Sequence, residues 1–136
     1  MADLLKMTSG TALGLHAMAH LAARKRNVTG AEIATALGAS EAHLAKVLQR
    51  LARAGFLRSI RGPKGGFTLA RDPGDVCLLE VYETLEGPLR TDGCLFSGPV
   101  CERVSCMMGD LVANVRHEVR GYLERTTFAD IAEEAR

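Results

Sequence analysis

Three thiols fall within one short stretch, Cys94-Leu-Phe-Ser-Gly-Pro-Val-Cys101-Glu-Arg-Val-Ser-Cys106. Gly98 and Pro99 inside the first interval rule out one regular helix, so the sulfurs can converge from a loop onto a single ion or cluster. Soft thiolates in threes favour iron-sulfur or zinc chemistry. Six intervening residues and then four match neither the paired Cys-x-x-Cys of a zinc ribbon nor a ferredoxin run, so the number of thiols is more informative than their spacing. The bland alternative is ordinary buried cysteine packed as a small hydrophobe. A polar Gly/Pro loop argues against it here, but it suits Cys77, which reads as core filler in Val76-Cys77-Leu78-Leu79.

The thiols follow a half-chain of opposite character. Residues 1 to 71 hold eleven Lys/Arg against three Asp/Glu, and residues 72 to 136 hold six against thirteen, so charges of +8 and −7 hide behind a net +1. From Ala42 to Arg71 no acid occurs, while Lys46, Arg50, Arg53, Arg58, Arg61, Lys64 and Arg71 do. A charge run is often only a solvated face. Combined with the elements below, this one is better explained by phosphate contact.

Those elements follow from periodicity and punctuation. Thr8 to about Arg24 places Leu15, Met18, Leu21 and Ala22 at helical spacing. Thr29-Gly-Ala-Glu32 is a capping-box pattern opening a short helix from Glu32 to Leu37, and Gly38 makes the turn. Ser40 then caps a third helix, Glu41 to Ala54, with Leu44, Val47, Leu48 and Leu51 inward and Gly55 as its left-handed stop. Phe56–Ile60 and Phe67–Ala70 read as two strands joined by the basic turn Arg61-Gly-Pro-Lys-Gly-Gly66. A helix from Cys77 to Glu86 ends at Gly87-Pro88, and Thr127 opens a short terminal helix.

From about Met107 a long amphipathic helix carries Met108, Leu111, Val112, Val115, Val119, Tyr122 and Leu123. Such a stripe needs either the chain's own core or a second subunit, and Met108, Leu111, Val115, Val119 and Tyr122 are the expected dimer contacts. The expected architecture is mainly α with a small two-stranded β wing, a winged helix-turn-helix plus a long dimerisation helix. Residues 1–75 would form the DNA-binding domain and 76–136 the cluster-binding loop and dimerisation region.

A recognition helix places short polar and basic side chains in the major groove while flanking cations grip phosphates. Ser40, His43 and Lys46 occupy its N-terminal turns, with Arg50 and Arg53 as phosphate clamps further along. In the wing Arg61 and Lys64 supply charge, and Gly65 and Gly66 permit close backbone approach.

The helices with Ser40-Glu-Ala-His-Leu-Ala-Lys-Val-Leu-Gln-Arg-Leu51, the turn Arg61-Gly-Pro-Lys-Gly-Gly-Phe67, the three-cysteine loop and the long helix together resemble the Rrf-two family of bacterial transcriptional regulators, of the IscR/NsrR type. The resemblance runs from about Met7 to Ala132. It implies a winged-helix homodimer with crossing long helices, and an iron-sulfur cluster, two-iron or four-iron, held by Cys94, Cys101 and Cys106. Where the iron-sulfur-biogenesis type carries a histidine after the last cysteine this chain has Gly109, and no acid stands at Thr11 to Leu13, where the nitric-oxide-sensing type uses one. The fourth ligand is therefore open. His16, donated by the partner subunit, is the first candidate, Asp110 the second, and His20 a support one turn from His16.

The function expected is operator binding on double-stranded DNA under control of the cluster's state. The competing readings are a cluster-free thiol/disulfide switch, and a zinc or iron-sulfur adaptor or electron carrier. Catalysis is not expected, since no nucleophile motif or phosphate-cradling loop occurs, and no small-molecule substrate is expected. No apolar run approaches a membrane span, and the start lacks a signal peptide's apolar core, so a cytoplasmic chain without stable disulfides is expected.

Overall fold

The computed structural model describes residues 4–95 and 106–134. Cys101 lies outside the described residues. Thr8 caps the first helix, α1 (Ser9–Arg24), and the Thr29/Glu32 capping box opens α2 (Gly30–Leu37), two residues ahead of Glu32. Thr29 Oγ1 accepts from the Glu32 N–H at 3.1 Å, and Glu32 returns a carboxylate oxygen to the Thr29 N–H at 3.3 Å. Gly38 closes α2 at φ 64°, and Ser40 Oγ accepts from the His43 N–H at 3.1 Å to start α3 (Glu41–Arg53). Two antiparallel strands follow, β1 (Leu57–Ile60) and β2 (Gly66–Leu69), with Leu57 opposite Leu69 and Ile60 opposite Gly66. After a turn at Pro73–Asp75 come α4 (Leu78–Glu86), α5 (Leu111–Arg125) and α6 (Phe128–Glu134). Cys77 stands just outside α4, half-buried, and packs beside Leu79 and Tyr82 as its apolar setting suggests.

The long helix begins later than its hydrophobic pattern does. Gly109 takes φ 57°, a left-handed conformation incompatible with a helix interior, so Met107–Asp110 form a turn and α5 starts at Leu111.

The core is organised around α1, which packs against α2, α3, α4, α6 and β2. Met18 and Leu21 meet Leu44, Leu48 and Leu51 of α3, Val81 and Leu85 of α4, and Phe128 of α6, all within one cluster. Each such leucine contributes about 1.5–3 kcal/mol by leaving water. The boundary expected at residue 75 does not divide this core, since Val76, Val81, Leu85, Phe128 and Ala132 all join it. A smaller cluster of Leu79, Tyr82, Leu89 and Leu123 joins α4 to α5.

Gly14 sets the α1–α4 distance. A Cβ at this position would lie 2.2 Å from Leu85 Cδ1 and 3.3 Å from Val47 Cγ1. Gly14→Val is therefore expected to lower stability by about 1–3 kcal/mol through overpacking, read as a lower denaturation midpoint at unchanged m-value.

Candidate nucleic-acid interface and sensor loop

The outward face of α3 carries Glu41, Ala42, His43 and Lys46, with Arg50 and Arg53 beyond. Ser40 is exposed but already engaged as the helix cap. His43 folds back toward α1, where its Nε2 would lie 3.8 Å from a Cβ at Gly10, and it lines a hollow of about 430 Å³ together with Ser9, Leu13, His16 and Leu37.

Lys46, Arg53, Arg58, Arg61 and Lys64 are exposed and form no salt bridge among the described residues. Two other cations of the acid-free stretch, also exposed, make contacts within the fold. Arg50, expected as a phosphate clamp, donates to the Leu85 and Thr84 carbonyls at 3.0 and 3.4 Å. These are terminal carbonyls of α4, and a guanidinium there satisfies orphan acceptors and the negative helix end together. Arg71 pairs with Glu80 at 3.2 Å and lies 5.6 Å from the Phe56 ring centre.

In the wing, Lys64 presents its side chain outward while its carbonyl accepts from Asn27 Nδ2 at 2.9 Å. Val28 and Phe67 exchange backbone hydrogen bonds at 2.9 and 2.8 Å, adding a one-residue bridge to the β-ribbon. Gly65 and Gly66 are required first by the chain itself. A Cβ at Gly65 would meet the Ile60 carbonyl at 2.4 Å, and one at Gly66 the Val28 carbonyl at 2.6 Å.

The described ends of the cysteine loop meet. Cys106 Sγ lies 4.0 Å from the Gly93 carbonyl, beside Cys94, and accepts from the Met108 N–H at 3.4 Å. Cys94 is half-buried and Cys106 exposed, both as free thiols. Asp92 leads into the loop. The Arg90 guanidinium hydrogen-bonded to it, with Arg116 behind, holds its carboxyl below the usual range even though burial works the other way. Among the described residues no three His, Cys, Asp or Glu converge as a metal set, Cys101 not being among them.

His16 is exposed, and its Nδ1 lies 2.7 Å from the Ala12 carbonyl, so Nε2 is the ring nitrogen left for another partner. His20 lines a different hollow with Arg24, Arg26 and Glu32. Burial first, then Arg24 and Arg26, push its pKa down. Asp110 is exposed at the start of α5.

On α5 the stripe splits in two. Val112, Arg116, Val119 and Leu123 face the chain's own interior, and Val119, expected as a dimer contact, packs partly buried against the α4–α5 cluster. Leu111 and Tyr122 remain 55% and 48% exposed, with Val115 half-buried between them; Met108 is also half-buried, beside Met107 at 73% exposure. The sequence signals Arg116 only as a single arginine in the phase of Val112, Val119 and Leu123.

Among the described residues no helix is long and apolar enough to cross a membrane. The Rrf2 family model, described as an iron-dependent transcriptional regulator, matches residues 7–134. BadM of Rhodopseudomonas palustris, named as an HTH-type transcriptional regulator, is 40% identical over 83 residues, which are 60% of this chain and 53% of that relative, so the match spans about half of its length. A similarly named Aquifex aeolicus protein is 28% identical over 121 residues, 86% of this chain and 84% of the relative. Among solved structures, CymR, the global cysteine regulator of B. subtilis, superposes with a TM-score of 0.79 at 28% identity, covering 96% of this chain and 98% of its own. IscR of T. potens gives 0.75 at 27% identity, with 97% and 89% covered. With a winged helix that exposes Lys46, Arg53, Arg58, Arg61 and Lys64 on one acid-free segment, and a family match from residue 7 to residue 134, this chain belongs to the Rrf2 family and is a transcriptional regulator.

Proposed function

We propose that the chain is a dimeric operator-binding regulator whose DNA affinity is set by an iron-sulfur cluster held by Cys94, Cys101 and Cys106. The observation that carries this reading is the closure of the loop, with Cys106 Sγ against Gly93 O at 4.0 Å. The donor set fits the group. The thiols are soft, and the Met108 N–H directed at Cys106 Sγ is the kind of hydrogen bond that tunes a cluster. When bound, the cluster supplies a centre sensitive to redox state or nitric oxide.

The chain's own residues do the rest. The loop is continuous with α5, whose Leu111, Val115 and Tyr122 face a second subunit, so rearranging the loop changes the spacing of two recognition helices. Half-sites about one helical turn apart then fit or misfit. His16 of the partner subunit is the proposed fourth ligand. Because His16 shares its hollow with His43, an occupant there also touches the start of the recognition helix.

A second reading has one observation in its favour. Cys94 and Cys106 stand at adjoining ends of one loop with Cys106 exposed, and a related CymR of Staphylococcus aureus is known in an oxidized form, at 27% identity and a TM-score of 0.72 with 94% of this chain and 96% of that one covered. A cluster-free switch would join two thiols as a disulfide, giving two protons and two electrons to an external oxidant. Anaerobic purification followed by visible spectroscopy with iron and sulfide analysis separates the two. Colour with stoichiometric iron and sulfide, and operator affinity that changes on its removal, support the cluster; colourless protein after reconstitution overturns it.

For DNA contact, Lys64→Ala is expected to weaken binding across all sequences and to reduce the slope of log K against log salt by about 1. His43→Ala is expected to change preference at one base pair by about 1–3 kcal/mol, read from a panel of single-substitution operators.

A further inference from the structure

Arg116 stands on the inner face of α5 at 6% exposure. Its Nε donates to the Leu4 carbonyl at 3.1 Å, and Nη1 donates to the Asp92 carbonyl at 3.0 Å, to Asp92 Oδ1 at 3.1 Å and to the Cys94 carbonyl. Three stretches remote in sequence therefore meet on one guanidinium: the segment leading into α1, the residues just before the first thiol, and α5 itself. A charge this deep is tolerated only while its donors stay matched, since stripping a partner leaves a desolvated cation. The Cys94 carbonyl is one of those partners, beside Leu4 and Asp92. Gly93 is packed at the same point, where a Cβ would lie 3.6 Å from Ala113 Cβ of α5. Cys106 Sγ closes over its carbonyl from the other end of the loop.

We infer that Arg116 is the positioning residue of the thiol loop. It fastens the Cys94 backbone to α5 and to the segment at Leu4, so a change in the bonding of the thiols reaches the long helix through this side chain. It holds the carbonyl of Cys94 and plays no part as a ligand. The inference rests on the loop being the sensor, but its central measurement does not need a cluster.

That measurement is the iodoacetamide alkylation rate of each cysteine in the reduced, metal-free full chain, resolved by peptide mass spectrometry. Arg116→Met is expected to raise the Cys94 rate by roughly ten-fold, the signature of a local opening made easier, with Cys77 essentially unchanged. Arg116→Lys keeps the charge but offers a single nitrogen in place of the fork, and gives an intermediate rate. Asp92→Ala leaves the buried guanidinium on its carbonyls and raises the Cys94 rate less, which keeps the test decisive if Arg116→Met does not fold. In the reconstituted protein the ratio of operator affinities with and without the cluster falls toward one in Arg116→Lys.

An unchanged Cys94 rate in folded Arg116→Met overturns the inference, as does an equal rise at every cysteine, which is what a merely structural role produces. If Arg116→Met does not fold, an unchanged Cys94 rate in Asp92→Ala overturns it. A wild-type chain that carries no cluster and shows no thiol-dependent DNA binding refutes the sensor reading, while the alkylation rates still decide whether Arg116 holds the loop.

Discussion

Anaerobically prepared Cys106→Ser protein is expected to be colourless, with iron and sulfide lost, and Cys94→Ser and Cys101→Ser are expected to match it. The reason is the softness of the donor. A serine oxygen in place of sulfur is a harder, more basic ligand, and with three protein thiolates there is none to spare. Serine Oγ can still accept from the Met108 N–H that Cys106 Sγ accepts from at 3.4 Å, so the loss is one of metal ligation rather than of the turn before α5. Cys77→Ser is the internal control. Its side chain packs half-buried beside Leu79 and Tyr82, and the variant is expected to keep the wild-type spectrum with only a modest loss of stability. His16→Ala is expected to alter the spectrum or shorten the cluster's lifetime without preventing assembly. The ligand assignment fails if Cys77→Ser bleaches the protein and Cys101→Ser does not.

The other large effect is expected at the subunit contact. Leu111 and Tyr122 are apolar and about half exposed on the outer face of α5, with Val115 between them. A two-fold contact uses each position twice. A carboxylate placed there by Val115→Asp, at about 3 kcal/mol per uncompensated charge, weakens the dimer by about four orders of magnitude. Sedimentation should then show a monomer at micromolar concentration with wild-type helicity and poor binding to a two-half-site operator. Val119→Asp provides the contrast, since Val119 packs against Leu79 and Tyr82 inside one subunit, and it should lower the melting temperature instead. A wild-type chain that sediments as a monomer would end the dimer reading.

Local grammar carried the reader half of the molecule. Thr29 with Glu32, Ser40, Gly38 and the glycine-rich wing each specify a cap or turn within a few residues, and the structure places all of them where those signals stand. What could not be read depends on partners distant in sequence. Arg50 looks like any cation of a basic stretch until α4 is seen to end against it, 34 residues on. The α5 stripe was visible, but only the position of α4 determines that Val112, Arg116, Val119 and Leu123 turn inward while Leu111 and Tyr122 do not. The late start of α5 was legible in Gly109, whose turn signal was overridden by the run of apolar residues around it. For the thiols, sequence supplied the chemistry and the spacing. The closing of their loop over Gly93 is a tertiary fact.

The position of α6 has a consequence for how the protein is made. Phe128 is fully buried in the cluster formed by α1, α3 and α4, and the backbones of Cys77 and Thr127 pair beside it. A nascent chain synthesised only as far as the wing therefore lacks one wall of its own core, and that wall arrives after the thiol loop and the long helix have been translated. The winged-helix core is therefore completed late, once Phe128 has been translated.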